Sequence, residues 1–409
     1  MDIVLMIVYA TIVLGFLVFI HEGGHYLAAR AFGVRVTEFM LGLPGPSIGF
    51  TRAGTRFGVT AVPLGGYAKV CGMEAGEMSP HLEQALAALY RRGTANMEDI
   101  AADCGITPDE AYDALDELAE WGSVVGPTKK DQYNTYRAPA VRLTKKQRAA
   151  LAAAPAKGAG AGAEGAGTAA AEAGGSVPAG ASTPAAPART ALANSPVPLR
   201  DYELGEPREV ADAHALFESE YRQQYRSLQF WKRSVILVAG VGVNLLFAIA
   251  LFIVWLSVIG SDGQTSTGEV VHVTLNPLEA IQFGFMYIGA VIQAVAGLFN
   301  PATAAQTVSD SASIIGIAVM SKDFFEAGLV SIMQFFAMLS VSLGIMNLLP
   351  IPPLDGGRFV VEVFQKVTRK VVSTRAMNYL SAAGMILFIG FFLVMANQDI
   401  QRFVFGNWG

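Results

Sequence analysis

Apolar residues run without a charge from Ile3 to Ile20, IVLMIVYATIVLGFLVFI, and the chain turns polar only at His21-Glu22-Gly23-Gly24-His25. This run opens a helix predicted over Ile3–Arg30, and at about 1.5 Å of rise per residue Ile3–Ile20 alone covers most of a hydrocarbon core about 30 Å thick. Three further stretches have the same character. Val235–Ile259 follows Phe230-Trp231-Lys232-Arg233, an interfacial anchor; Gly328–Leu349 ends in a proline-rich segment; Met377–Met395 closes the set. Leu278–Phe299 is also apolar, and charge decides how to read it. No Lys or Arg precedes the first helix, Arg30, Arg35, Arg52, Arg56 and Lys69 follow it, and Gly260–Ser321 carries none. An excess of Lys and Arg marks cytoplasmic loops. A crossing at Leu278–Phe299 would put Lys366, Arg369, Lys370 and Arg375 outside, so this stretch reads as an interfacial or re-entrant helix together with Ile314–Met320. The pattern predicts a polytopic α-helical protein of four transmembrane helices, with both termini outside and residues 79–230 in the cytosol.

The polar segments divide the chain further. Phe57–Val70, FGVTAVPLGGYAKV, is strand-like, broken by Pro-Leu-Gly-Gly and too polar to span. It predicts a membrane-associated β-hairpin that completes a first division, 1–74, and whose free edge can take up an extended peptide by strand addition. Residues 79–148 predict a small soluble module. Pro80–Arg92 places Leu82, Ala85, Leu86 and Leu89 on one helical face, Met97–Cys104 and Pro108–Trp121 are joined by Gly105-Ile106-Thr107, and Val124–Ala138 suits a two-stranded wing. This is a winged-helix-like α+β pattern. Its would-be recognition helix, Pro108–Trp121, carries Asp109, Glu110, Asp113, Asp116, Glu117 and Glu120, a surface that repels phosphates. The module is therefore expected to bind a protein partner or to sense, rather than to bind DNA. The strip of Lys129, Lys130, Arg137, Arg142, Lys145, Lys146 and Arg148 suits anionic lipid headgroups. Residues 149–198 are almost wholly Ala, Gly, Pro, Ser and Thr, a flexible linker. The last division, 199–409, begins with a charged helix over Glu206–Gln229 and holds the remaining spans.

Composition agrees with this. Of 409 residues, 52% are hydrophobic and 15% charged, with a mean hydropathy of +0.41, as expected of a membrane protein with soluble mass attached. A net charge of −5 gives no support to nucleic-acid binding. Cys71 and Cys104 are too few for a disulfide framework or a thiolate metal site. The first apolar run lacks the basic start and small-residue cleavage site of a signal peptide.

The chemistry begins where the first helix turns polar. Residues four apart share a helical face, so His21 and His25 can hold one Zn²⁺ while Glu22 stands beside it as general base, the H-E-x-x-H arrangement. Ionisable groups at this depth are costly unless paired. A carboxylate comes from the far end of the chain. The third span ends in Asn347-Leu348-Leu349-Pro350-Ile351-Pro352-Pro353-Leu354-Asp355-Gly356-Gly357, where prolines break the helix and glycine allows a tight turn that displays Asp355 at the inner membrane face. The same charge parity brings it level with His21 and His25, and two histidines and a carboxylate with one open position make a catalytic zinc pattern. Asn244, inside the second span, is a polar group in need of a partner.

These motifs resemble the site-2 protease family, with the closest likeness to its bacterial RseP-type members. The likeness rests on HEGGH in the first span, PLGGYAKV after it, FWKRSVILVAGVGVN opening the second span and NLLPIPPLDGG closing the third. It covers roughly 1–74 and 228–409. It implies an intramembrane zinc metalloprotease of the bacterial inner membrane that cuts transmembrane segments of membrane-protein substrates, often anti-sigma factors or remnant signal peptides. His21, His25 and Asp355 would ligate zinc, Glu22 would be the base, and Asn347 and Asn244 would help place substrate. Three features depart from the pattern. Gly260–Asn276 is too short for the PDZ domains of RseP-type members, Val241 stands where the family's second-span motif has proline, and the module at 79–148 is not a usual part of the family. Two other classes compete on sequence: a membrane-tethered sensor or adaptor with a structural zinc site, acting through the cytosolic module, and a divalent-metal transporter. Glu22 beside the two histidines and the proline-rich Asp355 turn suit hydrolysis better than a transport pathway.

Overall fold

The computed structural model describes residues 2–62, 65–74, 76–128, 131, 134–152, 196–264, 270–403 and 405. The chain forms two compact units, Met1–Glu77 with Tyr221–Gly409, and Met78–Glu220.

The first unit opens with α1 (Asp2–Ala31), one unbroken helix carrying the whole apolar run and HEGGH. Gly33, at φ 80°, stops it, and the Val34 N–H turns back to the Ala29 carbonyl at 2.9 Å. Four strands follow: β1 (Val36–Leu41), β2 (Ser47–Arg52), β3 (Thr55–Thr60) and β4 (Gly66–Val70). They form one sheet in the order β2-β3-β1-β4, with β1 parallel to β3 and antiparallel to β4. This corrects the hairpin expected over Phe57–Val70. Both of its strands exist, but β1 lies between them. The reason is non-local: Val36, Phe39 and Met40 of β1 are buried and take the central position, while the Thr55 hydroxyl, fully buried, donates to the Val36 carbonyl at 2.7 Å. The true hairpin is β2–β3, turned at Ala53 and Gly54 with φ 50° and 82°. Its outer strand exposes Ile48 and Phe50, and β4 is left as an edge.

The second unit contains α2 (Leu82–Arg92), β5 (Thr94–Ala95), α3 (Met97–Cys104), α4 (Pro108–Glu120), β6 (Tyr136–Arg137), α5 (Lys145–Ala152) and most of α6 (Ala213–Tyr221). Asn96 and Thr107 cap α3 and α4 in reciprocal capping boxes, and Gly105 at φ 66° ends α3. Leu86, Leu89, Ile100, Leu115, Leu118, Trp121 and Tyr136 make its core. β5 pairs with β6, and Val125 bridges Arg137. Beyond residue 195 the chain returns to this unit: Tyr202 pairs with Val141, and Arg208 lies over the Tyr90 and Tyr202 rings and donates to the Pro139 carbonyl. The expected helix over Glu206–Gln229 is confined to α6 and a short turn at Tyr225–Ser227; Gly205 at φ 75° and Pro207 interrupt its start. Apart from its two ends, the linker expected over 149–198 lies outside the described residues.

The remaining helices return to the first unit. They are α7 (Phe230–Ile253), continued as a wider turn to Ile259, a short hairpin of β7 (Ser261–Gln264) and β8 (Val270–Val273), then α8 (Pro277–Gly297), α9 (Ala304–Asp310), α10 (Ile314–Glu326), α11 (Leu329–Asn347), α12 (Asp355–Thr368) and α13 (Thr374–Phe403). Among the described residues, five helices are long and apolar enough to cross a membrane: α1, α7, α8, α11 and α13. Four match the expected spans, and the fifth, α8, is the stretch read from sequence as interfacial. Ala248 and Phe252 of α7, Ile288 of α8, and Ala337, Val341 and Ile345 of α11 form one buried cluster. Phe325 of α10 stacks on Tyr9 at 4.3 Å, and Phe324 stacks on Phe335 at 4.6 Å.

Candidate metal centre and active site

His21 and His25 sit one turn apart near the C-terminal end of α1, at 5% and 7% exposure. Their Nε2 atoms are 3.3 Å apart. Asp355 is the first residue of α12, behind the Pro350–Pro353 break. Gly356 and Gly357 let this turn close: a Cβ on Gly356 would lie 2.6 Å from the Leu349 carbonyl oxygen, and one on Gly357 would lie 2.5 Å from the Ile351 carbonyl carbon. Asp355 Oδ2 therefore lies 3.0 Å from His21 Nε2 and 3.1 Å from His25 Nε2. Residues more than 300 positions apart in sequence meet at one point.

The donor set fits zinc. Ligand atoms about 2.0–2.1 Å from a tetrahedral Zn²⁺ lie about 3.3 Å from one another, and the three observed separations of 3.0, 3.1 and 3.3 Å are close to that edge. The tautomer of His25 agrees as well. The Ile236 carbonyl of α7 can only accept, so His25 Nδ1, 2.7 Å away, donates to it, which leaves Nε2 of the neutral ring bare. The bare His25 nitrogen and a carboxylate oxygen aimed at one spot in apolar surroundings repel one another, and a divalent cation converts that repulsion into coordination.

Glu22 stands on the next position of α1. Its Oε2 accepts the Ala68 backbone N–H at 2.9 Å, so the edge strand β4 holds the carboxylate beside the metal-binding cluster. Gly66 makes this approach possible, since a Cβ there would press on Val18 at 3.0 Å and face Glu22 at 3.6 Å. Asn244, fully buried in α7, places Nδ2 3.3 Å from His21 Nδ1. Asn347 ends α11, half-buried; among the described residues no hydrogen bond joins it to His21, His25 or Asp355. The structure thus brings His21, Glu22, His25, Asn244 and Asp355 together and leaves Asn347 at the helix end before the proline turn.

Several contributors escaped the sequence reading. Two are backbone groups, the Ile236 carbonyl and the Ala68 N–H, which any residue but proline could supply and no motif reveals. Two are glycines. A Cβ on Gly24 would lie 2.6 Å from the Ala239 carbonyl oxygen, so the second glycine of HEGGH is what lets α1 and α7 touch backbone to backbone. Opposite it, a Cβ on Gly240 would point between the two imidazoles, 2.9 Å from His21 Nε2 and closer still to His25 Nε2. The signal was present in Gly240 itself, a small residue inside an apolar span, where small residues let helices approach closely.

Two histidines and a carboxylate in an apolar helix bundle, with a second carboxylate alongside, define the class of membrane-embedded metallopeptidases. The comparisons agree. The family described as Peptidase family M50 matches residues 9–391. A protein of Agrobacterium fabrum named "Putative zinc metalloprotease" is 23% identical over 405 residues, 96% of this chain and 95% of that protein. Proteins carrying the same description in Staphylococcus aureus and Streptococcus pneumoniae are 37% and 33% identical over 89 and 91 residues, 22% of this chain in each case. The chain belongs to peptidase family M50, the site-2 proteases, and is a zinc metalloprotease of that membrane-embedded type.

Proposed function

We propose that the protein hydrolyses peptide bonds within or near transmembrane segments of membrane-protein substrates, with His21, His25 and Asp355 as zinc ligands and Glu22 as the general base. One observation carries the reading: three ligand atoms converge at tetrahedral spacing while Glu22, next in sequence to His21, is tied to an edge strand. Zinc bound there supplies a Lewis acid that lowers the pKa of a water toward about 7 and polarises a scissile carbonyl. Glu22 takes the proton of the attacking water and returns it to the leaving amine. The Ala68 N–H orients that carboxylate. β4 offers its free edge to an extended substrate, and pairing there offsets part of the cost of unwinding a helical segment whose carbonyls are otherwise hidden. Asn347 is assigned to the substrate carbonyl at the end of α11.

The charge pattern supports a bacterial inner-membrane placement with both termini outside, in which α1, α7, α11 and α13 cross. α8 then enters from the outer side with α10 without changing parity. Anti-sigma factors and remnant signal peptides are the substrate classes this family membership suggests. Residues 79–148 we assign to a cytosolic winged-helix-like module for a protein partner: two capped helices lie between the segments of a small sheet, Thr94–Ala95 before them and Val125 and Tyr136–Arg137 after them, and the acidic face of α4 disfavours nucleic acid. A sensor with purely structural zinc is not favoured, because such a site has no use for a carboxylate held beside its ligands.

The test is cleavage of tagged single-span substrates in membranes by wild type and Glu22→Gln, with zinc assayed on both purified proteins. Loss of cleavage with about one zinc retained supports the reading. Equal cleavage by the two proteins removes Glu22 from the mechanism, and zinc on both with cleavage by neither across a broad substrate panel points to the sensor.

A further inference from the structure

We infer that Asn244 is the positioning residue of His21: its side-chain carbonyl accepts the His21 Nδ1–H and thereby keeps Nε2 bare toward the metal. This deepens the zinc reading above and rests on it. Asn244 is fully buried in an apolar bundle, where an amide without hydrogen bonds costs several kcal/mol. Its backbone is fixed, since the Ser340 hydroxyl of α11 donates to the Asn244 carbonyl at 2.8 Å. Its side chain is half satisfied. Nδ2 lies 3.3 Å from His21 Nδ1, and Oδ1 has no partner.

The two ends of an amide are told apart only by the hydrogen bonds they make. With Nδ2 toward the ring, the amide donates to His21 Nδ1, and the single proton of the neutral imidazole is left on Nε2, facing Asp355. An Nε2–H cannot coordinate. Rotation about the last side-chain bond presents Oδ1 to Nδ1 instead. The rotation exchanges one hydrogen bond for another, Oδ1 gaining the partner that Nδ2 gives up, and what it changes is the ring: the proton moves to Nδ1 and the Nε2 lone pair is freed for a metal. His21 then matches His25, whose Nδ1–H is held by the Ile236 carbonyl. Both ligands are set by α7, one through a main-chain oxygen and one through Asn244. Of the two, only Asn244 can be changed by substitution.

The experiment measures zinc affinity of the purified full-length protein by competition with a chelator, for wild type, Asn244→Asp, Asn244→Leu and Asn244→Ala. Asp keeps an acceptor at this position; Leu and Ala remove it, one at similar volume. Removing a partner that orients a ligating histidine weakens zinc about 10–100-fold, and that loss is expected for Leu and Ala, with Asp within a few-fold of wild type. Melting temperatures with chelator present separate a folding defect from a binding defect, and the Asp–Ala contrast stands if Leu does not fold. Wild-type affinity in Leu or Ala overturns the inference. So does an Asp variant as weak as Ala, which would make the role one of fit alone. A wild type that binds no zinc overturns the zinc site itself and this inference with it.

Discussion

Gly240→Ala is one methyl group placed where the two imidazoles of the metal centre leave no room for it. The new Cβ would lie 2.8 Å from His21 Cε1 and 2.9 Å from His21 Nε2, and still closer to His25 Nε2. Ordinary contacts between such atoms begin near 3.5 Å, so about 0.5–1 Å must be found. Neither side yields easily. α1 and α7 already touch at Gly24 and Ala239, and both rings are fixed from behind, His25 by the Ile236 carbonyl and His21 by Asn244. Overpacking of this kind costs about 1–3 kcal/mol. If that strain falls on the zinc-loaded arrangement, whose ligand distances tolerate about 0.2 Å, zinc affinity drops about 5- to 150-fold. Chelator competition on the full-length protein measures it. Gly242→Ala is the matched control, in the same helix and with nothing within 4 Å of its added Cβ. Gly240→Ala with the zinc affinity and turnover of Gly242→Ala would refute the argument that this glycine exists to make space for the site.

Three other outcomes are expected. Ala68→Pro removes the N–H that holds Glu22, a bond to a charged group worth about 1.5–3 kcal/mol; turnover should fall roughly tenfold or more with zinc retained, and unchanged turnover would show that Glu22 needs no anchor from β4. Gly384→Ala drives a Cβ into the Pro352 carbonyl, pushing the turn that carries Asp355, so zinc affinity should fall, whereas unaltered affinity would mean that α13 moves freely past that turn. In the 78–220 unit, hydrogen bonds from Arg137 and from the Thr128 N–H and hydroxyl hold the Asp131 carboxyl well below the usual carboxylate range. A depressed folded-state pKa contributes stability that is present above the unfolded value of about 3.9 and is lost as pH falls through the lower folded value. Protection factors at Val125 and Arg137, whose amides bond to each other's carbonyls, should therefore drop below about pH 4 in wild type and change little with pH in Asp131→Asn; identical acid profiles would count against the pairing.

Some of this was legible because it is written in consecutive residues. An apolar run of Ile3–Ile20 specifies a long helix in lipid, His21 and His25 share a face because of helical period alone, and Pro350–Pro353 followed by Gly356 and Gly357 specifies a broken helix and a turn whatever else surrounds it. The charge distribution went further, bringing Asp355 to the level of the histidines by parity, and the 3.0 and 3.1 Å separations are the structural counterpart of that argument. The sheet was less legible. Two strands could be read from pattern, but which strand lies between them depends on partners more than ten residues away, and β1 was invisible until its burial was known.

The sequence by itself therefore determined the long apolar helices, the proline break and the chemical groups available, since these follow from local sterics and from the cost of polar groups in hydrocarbon. Only the tertiary structure decided what surrounds each group. It set β1 between β3 and β4, turned the Ala68 N–H toward Glu22, aimed the Ile236 carbonyl and Asn244 at the two histidines, and brought Gly240 against both rings. Those choices are made by close packing between distant segments, where a single Cβ or a single carbonyl decides whether two helices can meet, and no periodicity along the chain carries that information.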